Sequence, residues 1–459
     1  MTENTFSSLP LSPEFIANLE SLGYQSMTPI QQQSLPIILQ GKDVHAQAKT
    51  GSGKTAAFAI GLLHHLDVKT YQAQALVLCP TRELADQVSK EIRRLARPIP
   101  NIKILTLCGG SPLAPQLASL EHQPHIVVGT PGRILKHLNK GTLKLDSIKT
   151  LVLDEADRML DMGFNDDIMR IIEEMPEQRQ TLLFSATYPG EIKAISDNIQ
   201  KSPESIQVES LHDDSNIKQL FFEIPRGERT AALIALLAHY QPRSSVVFCN
   251  RKEQCKGLAK ELKQHGFHAL ALHGDLEQKE RDEALVQFAN KSSSILIATD
   301  VAARGLDIKD LDAVIIYELS PDPEIHIHRI GRTGRAGKAG LALSLFTASE
   351  APKVNAIEDY QQQPINFEEI SSLQAQDRFK LKPAMVTMRI SAGRKSKVRA
   401  GDILGALTKN TDLPGKQVGK IDIFDTVSYV AVEQAIASQA LKILSEGKIK
   451  GKMYKVRKL

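Results

Sequence analysis

The chain lacks the features of secreted and membrane-spanning proteins. It has no tryptophan, only four cysteines in 459 residues, and no run of about 18 apolar residues that would cross a bilayer. The cysteines (Cys79, Cys108, Cys249 and Cys255) are scattered and do not have the spacing of a disulfide framework or a zinc site. The first residues contain neither the basic nor the apolar segment of a signal peptide. We therefore expect a soluble cytoplasmic protein with no membrane partner.

Positive charge is concentrated at one end of the chain. The formal net charge is only +4. Residues 380–459, however, contain 17 lysines and arginines against 6 acidic residues, a net charge of +11, so the rest of the chain carries −7. Such a segment indicates a polyanionic partner, because lysine and arginine side chains displace the counterions of nucleic acids. A solvated basic surface without a partner is the alternative.

Two series of buried-strand patterns precede the basic segment. Apolar runs that are each followed by a turn and an amphipathic segment are typical of parallel strands with crossover helices. The runs are residues 75–80, 103–108, 125–130, 150–155 and 181–187, and then 217–224, 245–250, 268–274, 294–300 and 313–319. From about residue 384 the order becomes β-α-β-β-α-β. The sequence thus predicts α/β domains at 1–208 and 218–375, linkers at 209–217 and 376–383, and a small split-βαβ α+β domain at 384–459.

A glycine-rich segment near the N-terminus is typical of a phosphate-binding loop. It lies between a short apolar stretch and a helical pattern and comprises Ala48, Lys49, Thr50, Gly51, Ser52, Gly53, Lys54 and Thr55. Glycines allow backbone N–H groups to approach phosphates, and the helix N-terminus adds partial positive charge. Lys54 would contact the β- and γ-phosphates, and the Thr55 hydroxyl would bind Mg²⁺. Ala48 stands where the general pattern has glycine, and a glycine-rich turn without a ligand is the alternative.

Two adjacent carboxylates follow an apolar strand pattern. Asp154 and Glu155 come directly after residues 151–153. Beside a phosphate loop, Asp154 would hold Mg²⁺ and Glu155 would position and deprotonate an attacking water. Taken alone, the pair is equally compatible with helix capping or a solvated surface.

Three arginines recur at intervals of three residues far downstream. Arg329, Arg332 and Arg335 have the spacing of one helical face. Arginines supplied by a second domain can stabilise the charge on a transferring γ-phosphoryl group. Surface arginines in ion pairs are the alternative. The two glycines argue against it, because glycine weakens a helix and a helix that served only solubility would not retain them.

These segments, in this order, resemble those of the DEAD-box ATP-dependent RNA helicases over roughly residues 6–375. The motifs are GYQSMTPIQ (23–31), AKTGSGKT (48–55), PTRELA (80–85), Gly109-Gly110, TPGR (130–133), DEAD (154–157), SAT (185–187), HGDLEQKER (273–281), ATDVAARGLDI (298–308) and HRIGRTGR (328–335). Ala48 is usual in this family. The resemblance implies two tandem RecA-like domains, ATP and Mg²⁺ as cofactors, and RNA as the partner.

The resemblance also implies roles for individual residues. Gln31 would hydrogen-bond the adenine, with Tyr24 stacked on it, and Asp307 would contact the ribose. The catalytic residues would be Lys54, Asp154, Glu155, Arg332 and Arg335. The residues that couple hydrolysis to RNA binding would be Ser185, Thr187 and His328. The contacts to the RNA backbone would be Thr81, Arg82, Gly110, Thr130, Gly132, Arg133, Asn250, Gly274, Gln278, Arg281, Thr299 and Arg304.

The last domain has the strand order of an RNA recognition motif but lacks its stacking aromatics. Only Tyr429 stands on a strand that usually carries them, so the sequence does not predict stacking of bases on the sheet. Basic residues instead predict an electropositive surface for a folded RNA hairpin: Arg394, Lys395, Lys397, Arg399, Lys448, Lys450, Lys452 and Lys455. A solvated basic face is the alternative. With residues 393–407, the chain resembles the DbpA-type bacterial helicases, which bind a 23S ribosomal RNA hairpin during ribosome assembly.

The sequence therefore predicts an RNA-dependent ATPase and a local, non-processive RNA helicase. It would act as a monomer on a 23S ribosomal RNA hairpin in precursors of the large (50S) subunit. Its ATP site would be divided between the two α/β domains, so that ATP and RNA together would complete it. Two alternatives remain: an ATP-gated RNA clamp that holds RNA for other factors, and a helicase of messenger or other structured RNA.

Overall fold

The computed structural model describes residues 4–48, 51–188, 190–208, 217–303, 311–334, 339–373, 381–409 and 411–459. Apart from a few residues, the chain divides near residue 212 into two compact units. In the described ranges, no helix is both long and apolar enough to span a membrane.

The first unit is built on a seven-stranded parallel sheet. Its strands are β1 (Val44–Gln47), β2 (Ala75–Leu78), β3 (Ile104–Leu107), β4 (Ile126–Gly129), β5 (Thr150–Asp154), β6 (Gln180–Ser185) and β7 (Glu204–Gln207). They lie in the order β3-β4-β2-β5-β6-β1-β7. Every pair is parallel. Loops that follow the strands therefore meet at one edge of the sheet, where ligands bind in open α/β folds.

Helices cover both faces of this sheet. They are α1 (Pro13–Ser21), α2 (Pro29–Leu39), α3 (Lys54–His64), α4 (Arg82–Leu95), α5 (Leu113–Leu120), α6 (Pro131–Leu138), α7 (Ala156–Asp161), α8 (Asn165–Glu173) and α9 (Gly190–Ile199). Two apolar clusters form the core. One contains Val152 and the other contains its strand neighbours Leu151 and Leu153, so β5 is buried on both faces. This explains its continuous apolar sequence.

The second unit begins with another seven-stranded parallel sheet, in the order β10-β11-β9-β12-β13-β8-β14. The strands are β8 (Ile217–Glu223), β9 (Ser245–Phe248), β10 (Ala269–Leu272), β11 (Ile295–Ala298), β12 (Ala313–Ile316), β13 (Gly340–Phe346) and β14 (Phe367–Glu369). The helices are α10 (Arg229–Tyr240), α11 (Lys252–Gln264), α12 (Gln278–Ala289), α13 (Asp300–Ala303), α14 (Pro323–Ile330) and α15 (Ala351–Gln361). The predicted repetition of a parallel α/β domain is confirmed.

A four-stranded antiparallel sheet completes the second unit, in the order β16-β17-β15-β18. Its elements are β15 (Met385–Ile390), α16 (Ala400–Thr408), β16 (Val418–Ile423), β17 (Ser428–Glu433), α17 (Ala437–Glu446) and β18 (Val456–Lys458). This is the predicted β-α-β-β-α-β order. Of the two predicted linkers, residues 209–216 and 376–380 lie outside the described residues, and Ile217 already belongs to β8.

One face of the small sheet packs on the α/β domain of the same unit. Arg389 of β15 lies opposite Tyr429 of β17. Arg389 Nε is 2.9 Å from the carboxylate of Glu283 on α12, and Arg457 Nη2 of β18 is 3.2 Å from it. The Tyr429 hydroxyl donates to Glu283 at 3.4 Å. Tyr429 is only 1% exposed, and its burial and the Glu283 charge raise its pKa to about 12.

The segment after α12 extends this contact. The Thr387 hydroxyl is 2.6 Å from the Ser292 hydroxyl, and Asn290 Nδ2 donates to it at 3.3 Å. The Met385 amide donates to the carbonyl of Lys291 at 3.3 Å. The face on which RNA recognition motifs stack bases is therefore covered at Thr387 and Tyr429. This packing agrees with the absence of stacking aromatics from the sequence.

Candidate functional site

The glycine-rich segment forms a turn between β1 and α3. Gly51 and Gly53 have φ angles of +90° and +98°, in the left-handed region. A Cβ atom on Gly53 would lie 2.6 Å from Gln31 Nε2, so a larger residue would be strained and would also clash. Lys49 and Thr50 lie outside the described residues.

Gln31 joins the start of α2 to this turn. Its Oε1 accepts from the Thr28 amide at 2.9 Å, and its Nε2 donates to the Gly53 carbonyl at 3.1 Å. The Tyr24 hydroxyl donates to Glu91 of α4, and burial and the Glu91 carboxylate raise the Tyr24 pKa. The adenine contacts of Gln31 and Tyr24 remain predictions.

The Lys54 ammonium group is buried at the start of α3. Its Nζ donates to the Ala48 carbonyl at 2.5 Å. Burial lowers the Lys54 pKa, while the nearby carboxylates of Asp154 and Glu155 act to raise it. The predicted phosphate-contacting lysine and the predicted acidic pair therefore lie in one electrostatic environment.

The acidic pair stands at the carboxyl end of β5. Asp154 is 3% exposed, and burial, followed by the charge of Glu155, raises its pKa to about 7. Glu155 has a left-handed backbone with φ of +52°, which is unusual outside glycine and asparagine. Its Oε2 lies 3.2 Å from Arg158 Nη1, and both side chains are buried. Sequence analysis did not single out Arg158.

Asp157, the last residue of the DEAD motif, holds the SAT motif. Its Oδ2 accepts from the amides of Ala186 and Thr187 at 3.2 and 3.1 Å and from the Thr187 hydroxyl at 3.1 Å. Its own amide donates to the buried Ser185 hydroxyl at 3.4 Å. One carboxylate thus joins the loops that follow β5 and β6. Its place in the motif was the only sequence signal for this role.

The RNA contacts predicted for the first unit follow its strands at the same edge. Thr81 follows β2 and caps α4, where its hydroxyl accepts from the Leu84 amide at 3.3 Å. Gly110 follows β3 with φ of +72°, and Thr130 and Gly132 follow β4. They share this edge with Lys54 and Asp154, because all of these strands are parallel.

In the second unit, a buried arginine occupies the corresponding edge. Arg329 is 2% exposed, and its Nε and Nη2 donate to the Asp300 carboxylate, both at 2.7 Å. Its Nη2 also donates to Asn250 Oδ1 at 2.8 Å, and Asn250 Nδ2 donates to the Leu319 carbonyl at 3.1 Å. The Asn250 amide is therefore engaged on both sides within the domain. Sequence analysis missed this role of Arg329.

The predicted face of three arginines on one helix is wrong. Helix α14 ends at Ile330, with Gly331 as its C-cap, and Gly334 has φ of +68°. Arg332 consequently lies in the turn after the helix, where it is buried. His328 Nε2 is 3.9 Å from Glu324 on the helix itself. Arg304, Asp307 and Arg335 lie outside the described residues.

Other contacts predicted for RNA in the second unit lie after β10 and β11. Gly274 is in the turn after β10, and Thr299 follows β11, with its amide donating to the Leu272 carbonyl at 3.3 Å. Gln278 begins α12 and donates to Asp282 at 2.8 Å, while Arg281 Nη2 donates to the Ala302 carbonyl at 2.7 Å. These residues stand at the carboxyl-end edge of the second parallel sheet. Their contacts with RNA remain predictions.

The basic residues predicted in the small domain are exposed, and most lie in two turns. Those concerned are Arg394, Lys395, Lys397, Arg399, Lys448, Lys450, Lys452 and Lys455. Lys450 Nζ donates to the Lys397 carbonyl at 2.7 Å, which brings the two turns side by side. Arg399 lies at the N-cap of α16, where the Asp402 carboxylate accepts from its amide at 2.8 Å.

Burial gives Asp154 a measurable effect on stability. Its pKa of about 7 lies above the ordinary value of 3.8, so the folded chain holds a proton that the unfolded chain releases. The free energy of unfolding therefore falls as pH rises from about 4 to about 7. We expect Asp154→Asn, which keeps the shape without the charge, to raise this free energy by about 1–3 kcal/mol near pH 8. Urea denaturation without nucleotide measures the change.

The gain should shrink as pH falls below about 7 and disappear near pH 4, because Asp154 is then protonated. Asp197→Asn, on the exposed surface of α9, is the matched control and should change stability little. Equal stability of the Asp154→Asn and parent chains near pH 8 would contradict the burial argument.

Three family models match this chain along its length. The DEAD/DEAH box helicase model matches residues 28–195, and the helicase conserved C-terminal domain model matches residues 228–337. The DbpA RNA binding domain model matches residues 387–458. The three matches fall on the first parallel sheet, the second parallel sheet and the small antiparallel domain.

Relatives and solved structures agree with these matches. The ATP-dependent RNA helicase DbpA of Escherichia coli (strain K12) is 53% identical over 455 residues, which cover 98% of each chain. The ATP-dependent RNA helicase CshA of Listeria monocytogenes is 44% identical over 77% of this chain and 68% of its own. The structure of S. cerevisiae Dbp5 bound to RNA and ADP BeF3 is 30% identical, with a TM-score of 0.73, and the match covers 80% of this chain and 96% of that one. The expected RecA-like fold of the two parallel-sheet domains is confirmed. With its helicase motifs, its two parallel sheets and its C-terminal RNA-binding domain, the chain belongs to the DEAD-box family of ATP-dependent RNA helicases, in the DbpA type.

Proposed function

We propose that this ATP-dependent RNA helicase separates short RNA duplexes locally and without processive movement, while its C-terminal domain holds a hairpin of 23S ribosomal RNA. It would act as a cytoplasmic monomer during assembly of the large (50S) ribosomal subunit. We also propose the domain boundaries inferred from the sequence, with helicase domains at 1–208 and 218–375 and the RNA-binding domain at 384–459. The observation that carries its chemistry is the buried charge cluster of Lys54, Asp154 and Glu155 at the phosphate-loop edge.

The phosphate loop has groups suited to a triphosphate. Gly51 and Gly53 leave room for close approach of an anion, and the Ser52 hydroxyl is buried without a hydrogen-bond partner in the described residues. Lys54 would exchange its bond to the Ala48 carbonyl for one to a phosphate oxygen, which carries full negative charge. Gln31, which already bonds the loop at Gly53, would present its amide to adenine.

A divalent cation fits the same edge. Asp154 is a buried carboxylate whose pKa is raised by burial and by the charge of Glu155, and such a group gains from a cation. Thr55 and Asp154 would hold Mg²⁺, which supplies neutralisation of the charge on the β- and γ-phosphates. Binding of the cation would favour the ionised form of Asp154.

Glu155 is the proposed general base. It would orient a water molecule toward the γ-phosphorus and accept its proton as the bond to the β-phosphate oxygen breaks. The Arg158 guanidinium lies 3.2 Å from Glu155 Oε2 and would help to hold the carboxylate in place. Arg332 and Arg335 would stabilise the developing charge on the transferring group.

ATP and RNA together are proposed to favour closure of the two helicase domains. ATP would be held by the phosphate loop and by the arginines of the second domain, and RNA by the loops of both. The bound strand would be bent away from its partner, at a cost of about 1–2 kcal/mol for each base-pair step broken. Loss of the γ-phosphate would release the RNA. The Asp157 link between the DEAD and SAT motifs supports communication between these steps.

The C-terminal domain is the proposed anchor. Its sheet face is packed on helix α12, so an RNA hairpin would bind elsewhere on the domain. The exposed basic turns at 394–397 and 448–452 support a surface that grips a folded backbone. The match of residues 387–458 to the DbpA RNA binding domain model supports RNA as the ligand of this domain.

We expect Glu155→Gln to bind ATP and RNA as the parent chain does, because the amide keeps the shape of the side chain. Its ATP turnover should fall about 10²–10⁴-fold, since an amide does not accept the proton of water. Phosphate release at saturating ATP and RNA measures turnover, and fluorescent nucleotide and RNA titrations measure binding. Glu173→Gln, on α8, is the control of equal chemistry. Parent-like turnover in Glu155→Gln would refute the assignment of the base.

The anchor is tested by reversing charge on the two turns. We expect the Lys395→Glu, Lys450→Glu chain to lose at least about tenfold of its preference for a 23S ribosomal RNA fragment over bulk RNA, because phosphate contacts dominate such binding. The preference is measured as the ratio of RNA concentrations that half-saturate ATP hydrolysis. Turnover at saturating bulk RNA should be unchanged.

The matched control is the Lys260→Glu, Lys263→Glu chain, which makes the same charge change on the exposed side of α11. It should keep the preference of the parent chain. If the variant in the small domain also keeps the preference, the anchor lies elsewhere in the protein.

A further inference from the structure

A buried glutamine joins the two loops of the first unit that are proposed to hold RNA. Gln116 lies on α5, between the Gly109-Gly110 loop and the TPGR motif. Its Nε2 donates to the Cys108 carbonyl at 3.1 Å. Its Oε1 accepts from Arg133 Nη1 at 2.8 Å and from His137 Nε2 at 3.0 Å. One side chain therefore contacts the residue that follows β3 and two side chains of α6, the TPGR arginine and His137.

Arg133 closes the same connection from the other side. Its Nη2 donates to the Ser111 carbonyl at 3.0 Å. The Gly109-Gly110 loop is thus held just before it, at Cys108 by Gln116, and just after it, at Ser111 by Arg133. Because the two acceptors of Arg133 are neutral oxygens, the guanidinium keeps a positive charge that a phosphate can use.

His137 hydrogen-bonds the side-chain amide of Gln116. It is fully buried, and its Nδ1 lies 3.0 Å from the Thr142 hydroxyl. Burial, with the nearby positive charge of Arg133, lowers its pKa, so the ring is neutral near pH 7. The hydrogen bonds place the single ring proton on Nε2, where it is donated to Gln116 Oε1.

We propose that Gln116 is a positioning residue for RNA, which fixes Arg133 and the Gly109-Gly110 loop in one preformed site for the sugar-phosphate backbone. This inference rests on the proposed RNA contacts of Gly110, Thr130, Gly132 and Arg133. Gln116 itself does not touch the RNA. It acts by holding a flexible glycine loop and a long arginine side chain in the geometry that single-stranded RNA requires. RNA binding then does not have to include the entropic cost of ordering them.

The chemistry of an amide suits this position. The site needs one donor, for the Cys108 carbonyl, and one oxygen that accepts two hydrogen bonds. A glutamate would lack the donor and would neutralise the charge of Arg133. A methionine would fill the same space but would leave the guanidinium, the imidazole and the carbonyl without this partner.

The test compares Gln116→Met with Arg133→Met and with the double variant, using RNA-stimulated ATP hydrolysis by the full chain with a single-stranded poly(U) RNA. We expect Gln116→Met to raise the half-saturating RNA concentration about tenfold, the effect of losing one hydrogen bond to a charged group. Turnover at saturating RNA and the KM for ATP should stay those of the parent. Gln123→Met, seven residues along the chain, is the matched control and should behave as the parent does.

Two further readings separate positioning from a general loss of structure. The double variant should bind RNA more strongly than the sum of the two single losses predicts, because Gln116 acts partly through Arg133. The slope of log affinity against log salt should fall in Gln116→Met by up to about 0.7, as for the loss of one phosphate contact on a single strand. Additive effects in the double variant, or a parent-like salt slope, would overturn the proposal.

The outcomes distinguish this inference from the function on which it rests. If RNA fails to stimulate the parent chain, the proposed function fails, whatever Gln116 does. If the parent is stimulated and Arg133→Met weakens RNA binding but Gln116→Met does not, only the inference is overturned. Should Gln116→Met unfold at the assay temperature, Gln116→Glu replaces it. That variant should bind RNA more weakly with the reduced salt slope, and parent-like binding would contradict the proposal.

Discussion

The chemistry proposed for this helicase depends on two opposite charges buried at the carboxyl edge of a parallel sheet. Burial lowers the pKa of the Lys54 ammonium and raises the pKa of the Asp154 carboxylate, and each charge partly compensates the other. Neither is fully stabilised, since desolvation is the largest effect on both. Such a site is stabilised when a polyanion and a cation bind together, because the anion would pair with the lysine and the cation with the carboxylate. The fold makes this possible by ending β1, β5 and β6 at one edge.

The loops around that edge are held by a few buried polar side chains. Asp157 joins the DEAD and SAT motifs, Gln116 joins the Gly109-Gly110 and TPGR loops, and Arg329 joins the loops after β9, β11 and β12 in the second unit. Each side chain makes several hydrogen bonds at once, so a movement of one loop would alter the hydrogen bonds of the neighbouring loop. Glu283 of α12 has a similar part at the small domain, since it binds Arg389, Arg457 and Tyr429 of that domain and thereby covers the sheet face.

Sequence patterns predicted the parts of the structure that depend on local chemistry. The ten predicted strands all form. They were recognisable in the sequence because a strand that is buried on both faces needs a continuous apolar run. Strands β1, β7, β13 and β14 were not among the predicted runs. Strands β7 and β14 lie at sheet edges and contain few apolar residues, whereas β13 is an interior apolar strand that was missed. The shared helical face of three arginines was wrong because Gly331 ends the helix. The roles of Gln116 and Arg329 depend on partners distant in sequence, which one sequence does not reveal.

The central claim is that nucleotide turnover at the buried charge cluster depends on RNA held by loops at the same edge. It is tested most directly by steady-state ATP hydrolysis of the unaltered full chain at saturating ATP, with and without RNA. The RNA contains a hairpin of 23S ribosomal RNA, the proposed target, and its neighbouring helix. The account predicts slow hydrolysis without RNA and an increase of at least about tenfold with it, equivalent to about 1.4 kcal/mol of barrier. An equal rate in both conditions would contradict it.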